Sequence, residues 1–143
     1  MPTADQSPGD HAVIVRAVLR LARRLRQAAS EAPVSGSALG LLATLHREGA
    51  MSAVDLARRE GLQPQSLSRV LAKLDKDGLI GREVDGVDRR RQVIATTPKG
   101  TAALAEAMAL RRSWLLAAMA ERLTAAERAA LLQSAELMLR LAE

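Results

Sequence analysis

The chain has 143 residues, which is the size of one domain with a core of its own. Hydrophobic residues make up 48% of it, but Phe and Tyr are absent and there is one Trp, so the core must be built mainly from Leu, Ala, Val, Ile and Met. Leu and Ala are strong helix formers, and this composition predicts a mainly α-helical fold. The absence of cysteine excludes disulfides, thiol redox chemistry and Cys-ligated metal sites.

The net charge is +5, and eighteen of the 21 basic residues are arginine. The planar guanidinium group suits phosphates and base edges better than an ammonium group does, although +5 also fits an ordinary protein. No run of about 18 apolar residues could span a membrane, and residues 1–9 lack a signal-peptide core. We therefore expect a cytoplasmic protein with no membrane partner, in which residues 1–9 form a flexible tail before a single domain of residues 10–143.

The first predicted helix is amphipathic with a basic outer side. Asp10 can cap it, and it extends to about Ser30. Arg16, Arg20 and Arg23 lie opposite its apolar face, where a solvated surface is the ordinary interpretation and an anion or DNA contact is the alternative. The apolar face consists of Ile14, Val15, Val18, Leu21, Ala22 and Leu25.

The next segments predict a helix-turn-helix. After a helix from Ser37 to about Glu48, the motif Ser52-Ala-Val-Asp55 resembles a capping box with Asp in place of Glu or Gln. It begins a short helix through Glu60 whose inward residues include Val54 and Leu56. Gly61 permits a sharp turn, and Pro64 suits the first turn of the following helix. A short helix, a tight turn and a second helix at this spacing form a helix-turn-helix.

The second helix of this motif has an apolar stripe and a polar, cationic outer face. Glutamine, serine and arginine can donate hydrogen bonds to base edges, and lysine suits phosphate. A plain surface helix would be the preferred interpretation if this helix stood alone. The predicted buried residues are Leu67, Val70, Leu71 and Leu74, and the candidate DNA-binding residues are Gln65, Ser66, Ser68, Arg69 and Lys73.

A β-hairpin with a cationic loop follows. Gly78 ends the helix in a left-handed cap position, and residues 79–84 and 92–96 predict two strands around an Asp85-Gly86 turn signal. The loop is longer than a tight hairpin needs, and its extra residues include Arg89, Arg90 and Arg91. A narrow minor groove concentrates negative potential and attracts arginine, so we predict that this loop binds the minor groove. Asp88 could hold one of the guanidinium groups extended through a two-point hydrogen bond.

Two apolar helices end the chain. Thr97-Pro98 begins one that extends to about Arg122, and the capping box from Thr124 to Glu127 begins the last. Each carries two apolar stripes, whereas a surface helix needs only one, which indicates a second partner. The simplest candidate is the same pair of helices from another copy of the chain.

These features resemble the MarR (multiple antibiotic resistance regulator) family of winged-helix regulators over nearly the whole chain after Asp10. The resemblance rests on the order of the elements and on three local pieces: Ser66 to Ile80, the wing sequence Asp88-Arg-Arg, and Thr97-Pro-Lys-Gly100. It implies a homodimer clamped by the first helix and the last two. The candidate dimer-interface residues are Val18, Leu110, Trp114, Leu131, Leu137 and Leu141.

The resemblance also implies how DNA and an effector bind. The helix around Gln65 to Lys73 would enter the major groove, and an arginine of the Asp88-Arg89-Arg90 turn would enter the minor groove. Many relatives release DNA when a small aromatic or anionic molecule binds between the dimer helices and the reading head. Trp114 is the one possible aromatic stacking partner for such an effector. Other relatives sense oxidants through cysteine, which this chain lacks.

The predicted fold is therefore mainly α with a small β-wing. A winged helix-turn-helix of residues 37–97 lies between dimerisation helices of residues 10–30 and 98–143. The predicted function is a dimeric, sequence-specific transcription regulator of double-stranded DNA with a near-palindromic operator. We expect a repressor that a small-molecule effector releases and that needs no cofactor.

Two other classes of protein are alternatives. A helical protein-interaction module with a winged-helix scaffold that binds no DNA is possible because fold does not determine function. The three wing arginines disfavour it. An enzyme has little support, because a phosphate-binding Gly-x-x-x-x-Gly-Lys-Ser/Thr loop is missing. His11 and His46 lie in separate helices without evident acid partners, so we also expect no metal site.

Overall fold

The computed structural model describes residues 8–34 and 36–143. Within them the fold is mainly α-helical with a small two-stranded wing, as predicted. The predicted tail was residues 1–9, of which residues 1–7 lie outside the described residues. The first helix begins at Pro8 and so includes residues 8 and 9, and Asp10 lies in its first turn instead of capping it. The elements are α1 (Pro8–Ala28), α2 (Gly36–Glu48), α3 (Ala53–Glu60), α4 (Pro64–Lys76), β1 (Ile80–Val84), β2 (Gln92–Thr96), α5 (Pro98–Arg122) and α6 (Ala125–Leu141).

The turn between α3 and α4 has the predicted local chemistry. Gly61 ends α3 with φ 61°, a left-handed conformation that glycine adopts without steric cost. Pro64 occupies the first turn of α4, where its missing N–H leaves no hydrogen bond unmade. These residues fix the angle at which α4 leaves α3.

The end of α4 leads directly into the wing and α5. Gly78, at φ 72°, lets the Leu79 N–H reach the Leu74 carbonyl at 2.9 Å, as in a Schellman cap. Thr97 caps α5 by accepting from the Gly100 N–H at 3.1 Å, and its hydroxyl donates to the Gly78 carbonyl at 2.6 Å. The end of α4 and the start of α5 are therefore hydrogen-bonded to each other.

The buried core lies in the winged part of the chain. It combines residues of α2, α3, α4, both strands and the first half of α5. Leu56 is fully buried as predicted, but Val54 is 68% exposed, so its predicted inward position was wrong. Two residues along a helix turn the side chain by about 200°, so one short helix cannot bury both. In α4 Leu67, Leu71 and Leu74 are buried and Val70 is partly buried.

A polar contact joins α2 to α3 at the edge of this core. The hydroxyl of Thr44, which is buried, donates to the Glu60 carboxylate. Glu60 can approach because α2 has a glycine at position 40, where an added Cβ would lie 3.2 Å from Glu60 Oε2. The buried hydroxyl is thereby satisfied without a water molecule.

The two strands pair antiparallel, with Ile80 opposite Thr96 and Val84 opposite Gln92. Met51, just before α3, adds a short bridge to β2: its N–H donates to the Ile94 carbonyl at 3.1 Å, and the Ile94 N–H donates back at 2.8 Å. The base of the wing is therefore hydrogen-bonded to the segment that begins the helix-turn-helix.

The apolar faces of α1 and α6 remain largely uncovered within one chain. None of the described residues of α6 is buried, and its thirteenth residue, Leu137, is 51% exposed. On α1, Val18 is 43% exposed and Leu19 is 64% exposed. No helix among the described residues has both the length and the apolar character that crossing a membrane requires.

Candidate nucleic-acid interface

The reading helix α4 is fixed by its buried side and presents the opposite side to solvent. Leu67, Leu71 and Leu74 anchor it in the core. All five residues predicted to read DNA are exposed on the remaining surface: Gln65, Ser66, Ser68, Arg69 and Lys73. The structure thus brings together on one side of one helix the residues that the sequence analysis selected.

The side chains on this face differ in how far they are already engaged. The Ser68 hydroxyl donates to the Pro64 carbonyl at 2.9 Å, so it can accept a hydrogen bond from a ligand more readily than it can donate one. Arg69 and Lys73 form no ion pair with another residue of the described ranges. Their charges are therefore available to an anionic partner.

Aspartate side chains organise the wing loop. The Asp85 carboxylate accepts from the N–H groups of Val87 at 2.8 Å and Asp88 at 3.4 Å, and the Asp85 N–H closes the loop on the Arg91 carbonyl at 2.9 Å. These backbone hydrogen bonds hold the pKa of the Asp85 carboxyl below its ordinary value of 3.8. Gly86 does not have positive φ, so the turn is an Asx turn and not the tight Asp-Gly hairpin turn.

Asp88 acts on the backbone and not on a guanidinium group. Its Oδ1 accepts from the Arg90 N–H at 3.0 Å, and its carbonyl accepts from the Arg91 N–H at 2.9 Å. The predicted two-point hydrogen bond to an arginine side chain was therefore wrong. An aspartate side chain reaches the N–H two residues ahead with little loss of conformational freedom, so this local bond forms in preference. Arg89 and Arg90 are left exposed at the tip.

Arg91, the third predicted wing arginine, points back towards α3. Its Nη2 lies 3.3 Å from Asp55 Oδ2. Asp55 also accepts from the Ser52 hydroxyl at 2.7 Å and lies 3.4 Å from the Arg58 guanidinium. The Ser52 hydrogen bond, together with the charges of Arg91 and Arg58, holds the pKa of the Asp55 carboxyl below its ordinary value of 3.8, against partial desolvation.

The pairing of Asp55 with the wing was not predicted from the sequence. Asp55 was interpreted only as part of a capping box, and the Ser52 side chain does accept from the Asp55 N–H at 3.2 Å. Aspartate is one methylene shorter than the usual glutamate, and its carboxylate bonds to the Ser52 hydroxyl instead of the Ser52 N–H. Asp in place of Glu at this position was the one available signal, and it did not identify the partner.

A cavity of about 480 Å³ lies between α1, α2 and the middle of α5. Its walls are mostly apolar, with two arginines, Arg26 and Arg111, among the lining residues. Arg111 donates to the Ala107 carbonyl at 2.9 Å, which uses one of its five donors. The remaining lining residues are Ala22, Leu25, Gly36, Ser37 and Leu39.

Trp114 lies on the same side of α5 as this cavity but is already engaged. The guanidinium of Arg24 lies over its indole ring, 5.5 Å from the centroid, which is a cation–π distance. Trp114 is half-buried and is not among the residues that line the cavity. One face of the ring is therefore already covered by Arg24.

The six residues predicted at a dimer interface lie on the helices with uncovered apolar faces. Trp114 and Leu131 are half-buried within the single chain. The other four are exposed: Val18 at 43%, Leu110 at 37%, Leu137 at 51% and Leu141 at 85%. Large apolar side chains left exposed on several helices are a usual mark of a protein–protein interface.

Known proteins match the chain in both sequence and structure. The model of the MarR family matches residues 35–91. An uncharacterised HTH-type transcriptional regulator of Mycobacterium bovis is 38% identical over 127 residues, covering 89% of this chain and 88% of the relative.

Two solved structures extend the comparison. The crystal structure of a putative transcriptional regulator from Pseudomonas aeruginosa is 33% identical, covers 93% of both chains and superposes with a TM-score of 0.81. A mutant MarR from E. coli, complexed with operator DNA, shares the fold at 21% identity, with 90% and 92% coverage and a TM-score of 0.67. These relatives are transcription regulators, as the sequence predicted. The chain belongs to the MarR family of DNA-binding transcription regulators.

Proposed function

We propose that the protein is a homodimeric repressor that binds a near-palindromic operator through two α4 helices and two wing loops. The observation that carries the proposal is the combination of two surfaces on one chain. One is cationic, with Arg69 and Lys73 on the reading helix and Arg89 and Arg90 on the wing. The other is apolar and lies on α1, α5 and α6. A structural neighbour, the mutant MarR from E. coli, has been crystallised with operator DNA, which supports the DNA-binding part of the proposal.

The uncovered apolar residues support the dimer. Six large apolar side chains on α1 and five on α6 are at least 40% exposed. Covering a half-exposed Val or Leu contributes on the order of 1 kcal/mol. Covering about half of these eleven side chains on each of two protomers contributes on the order of 11 kcal/mol, which is comparable with the roughly 4–15 kcal/mol that association costs in lost freedom. Light scattering at micromolar concentration is expected to give twice the 15.3 kDa chain mass.

The dimer would determine how DNA is read. Twofold symmetry places the two reading helices in successive major grooves, about 34–36 Å apart, on an operator with matching symmetry. Each wing would then reach the flanking minor groove, where narrow geometry favours arginine. Regulation of transcription by such a protein takes place in the bacterial cytoplasm, so the location expected from the sequence belongs to the same proposal.

The first test separates base reading from backbone contact. Arg69→Ala is expected to reduce discrimination between the operator and a scrambled duplex by about 1–3 kcal/mol, because alanine cannot form the bidentate hydrogen bonds to guanine. Arg90→Ala is expected to weaken binding to both duplexes and to lower the log–log salt slope by about 0.9 for each phosphate that is no longer neutralised. Fluorescence anisotropy on an operator selected from random DNA, measured across a salt series, provides both values.

The matched control removes one arginine at the other end of the molecule. Arg122 lies in the last turn of α5, roughly 36 Å along the helix from Pro98, the first residue of α5, which lies next to the wing. Arg122→Ala is expected to leave both affinities unchanged. Unchanged binding in Arg69→Ala and Arg90→Ala alike would reject the assigned surface, and failure of the wild type to bind DNA at low salt would favour a protein-interaction module.

We propose further that the cavity between α1, α2 and α5 is the effector site. It lies where dimer helices meet the first helix of the winged part, so a bound molecule could change the angle between them and thereby the spacing of the two reading heads. Arg26 and Arg111 favour an anion with an apolar body. Benzoate is expected to raise the midpoint of thermal unfolding more than neutral benzamide does. Arg111→Met should reduce this preference, and equal shifts for both compounds in the wild type would contradict the proposal.

Repression itself is tested with a reporter. The operator is placed across the promoter of a reporter gene, and expression of the protein is expected to lower transcription in the wild type but not in Arg90→Ala. An increase in transcription from the same arrangement would show that the protein is not a repressor.

A further inference from the structure

We propose that Asp55 is a positioning residue that holds the wing loop against α3 through Arg91, and so sets how far Arg89 and Arg90 reach beside the reading helix. The inference rests on the proposed function, because it concerns the geometry of the same DNA-binding surface. It assigns Arg91 to wing support, in contrast to the direct DNA contact that its position in the arginine run suggests.

The two residues join parts of the chain that are distant in sequence. Asp55 lies in the first turn of α3, and Arg91 is 36 residues later, at the end of the wing loop that returns to β2. Their side chains meet at 3.3 Å and are 41% and 53% exposed. A link at this point connects the loop directly to the helix-turn-helix.

Backbone hydrogen bonds already connect the wing to the start of the helix-turn-helix at a second point. Met51 and Ile94 exchange two hydrogen bonds, which fix the base of the wing. Arg91 is three residues nearer the tip than Ile94, which is about 10 Å along an extended chain. Without the Asp55–Arg91 link, the outer part of the wing could turn about the Met51–Ile94 pair. With it, the loop is held at two separated points.

The Asp55 carboxylate is itself held in place. The Ser52 hydroxyl donates to the same Oδ2 atom that faces Arg91, at 2.7 Å, and Arg58 approaches Oδ1 at 3.4 Å. The carboxylate therefore has a defined direction before Arg91 reaches it. This reduces the conformational freedom that an exposed ion pair usually has to give up.

The charge of Asp55 gives the inference a definite sign. A carboxylate beside a DNA-binding surface repels phosphate, so its removal alone should strengthen binding. If Asp55 positions the wing, removing its charge should weaken binding instead. Asp55→Asn keeps the size of the side chain while changing the charge, and Asp75→Asn is the matched control. Asp75 is an exposed aspartate in the last turns of α4 with no ion pair among the described residues.

Affinity for the operator provides the first measurement. Asp55→Asn is expected to bind up to about fivefold more weakly, which is the most that one exposed ion pair usually contributes, whereas Asp75→Asn should bind equally or more tightly. Asp55→Glu keeps the charge and should recover part of the affinity. In an Arg90→Ala background, Asp55→Asn should have a smaller effect, because part of its influence passes through Arg90. Tighter binding by Asp55→Asn, or an undiminished effect in the Arg90→Ala background, would overturn the proposal.

A second measurement needs no DNA. The chain contains no cysteine, so Val87→Cys introduces a single labelling site for a nitroxide, at a wing position that is 97% exposed. The electron paramagnetic resonance spectrum is expected to show a more mobile label when Asp55→Asn is added and no change when Asp75→Asn is added. Identical spectra would overturn the positioning role. A wild type that binds no DNA while its spectrum responds to Asp55→Asn would reject the proposed function and leave the positioning role intact.

Discussion

Replacing Gly100 by alanine should destabilise the protein, although alanine is a better helix former than glycine. Gly100 is buried in the first turn of α5. A Cβ at this position would lie 1.9 Å from the Leu79 carbonyl oxygen and 2.9 Å from its carbon. The ordinary distance of closest approach is about 3.3 Å, so α5 or the start of β1 would have to move by roughly 1.4 Å.

Neither segment can move freely. Leu79 is 4% exposed, and its carbonyl oxygen also accepts the Thr97 N–H at 3.1 Å. The Thr97 hydroxyl is bonded to the Gly78 carbonyl at 2.6 Å. A shift that relieves the clash would therefore break or lengthen at least one of these hydrogen bonds.

The magnitude follows from two opposing effects. Alanine gains at most about 1 kcal/mol over glycine in helix propensity. Overpacking of a rigid site costs about 1–3 kcal/mol, and a contact this short belongs at the upper end. The expected net loss is roughly 2 kcal/mol, or about 5–10 °C in the midpoint of thermal unfolding for a chain of this size.

Thermal unfolding followed by circular dichroism tests the prediction. Both proteins are measured at one concentration, because the stability of a dimer depends on it. Gly9→Ala is the control, since it makes the same change in the first turn of α1 with nothing within 4 Å of the new Cβ. Gly9→Ala should unfold at or slightly above the wild-type temperature. If Gly100→Ala is as stable as Gly9→Ala, the tight contact between α5 and Leu79 is not present in the protein.

Three further predictions concern other parts of the molecule. Leu137→Asp should shift the protein from dimer to monomer in light scattering, while Gln133→Asp should not, and two dimeric variants would exclude α6 from the interface. Thr44→Val should lower the free energy of unfolding by about 1–2 kcal/mol in urea denaturation, because the Glu60 carboxylate loses its donor; an unchanged value would mean that water replaces it. The pKa of the Asp85 carboxyl is below 3.8 in the folded state, so its contribution to wing stability is complete above that pH and lost as the pH falls through the lower value. Nuclear magnetic resonance titration of this carboxyl should give a midpoint below 3.8, and a midpoint at or above 3.8 would contradict the Asx turn.

Most element boundaries were predictable because local chemistry sets them. Gly61 and Gly78 occupy left-handed positions, and Pro64 and Pro98 lie in the first turns of their helices. A cap or turn depends on a few neighbouring residues, so sequence spacing contains the necessary information. The exposed face of α4 was predictable for a related reason, since helical periodicity divides apolar from polar residues.

Predictions were less complete where a side chain has several possible hydrogen-bond or ion-pair partners. Asp88 was assigned to a guanidinium group and bonds instead to the Arg90 N–H. Arg91 was predicted to contact DNA like its neighbours, and nothing in the sequence indicated that it pairs with Asp55 from another helix. Both depend on which groups the folded loop brings within about 3 Å, and periodicity does not contain that information.

The amino-acid order by itself determined the succession of helices and strands, the caps that end them and the side of α4 that faces solvent. These follow from interactions within a few residues of each other. Only the tertiary structure decided that Asp55 meets Arg91, that Arg24 covers Trp114, that Val54 is exposed, and that two arginines line a cavity between α1, α2 and α5. Each of these depends on how separate elements pack, because contacts between distant residues form only after the core has fixed the angles between helices.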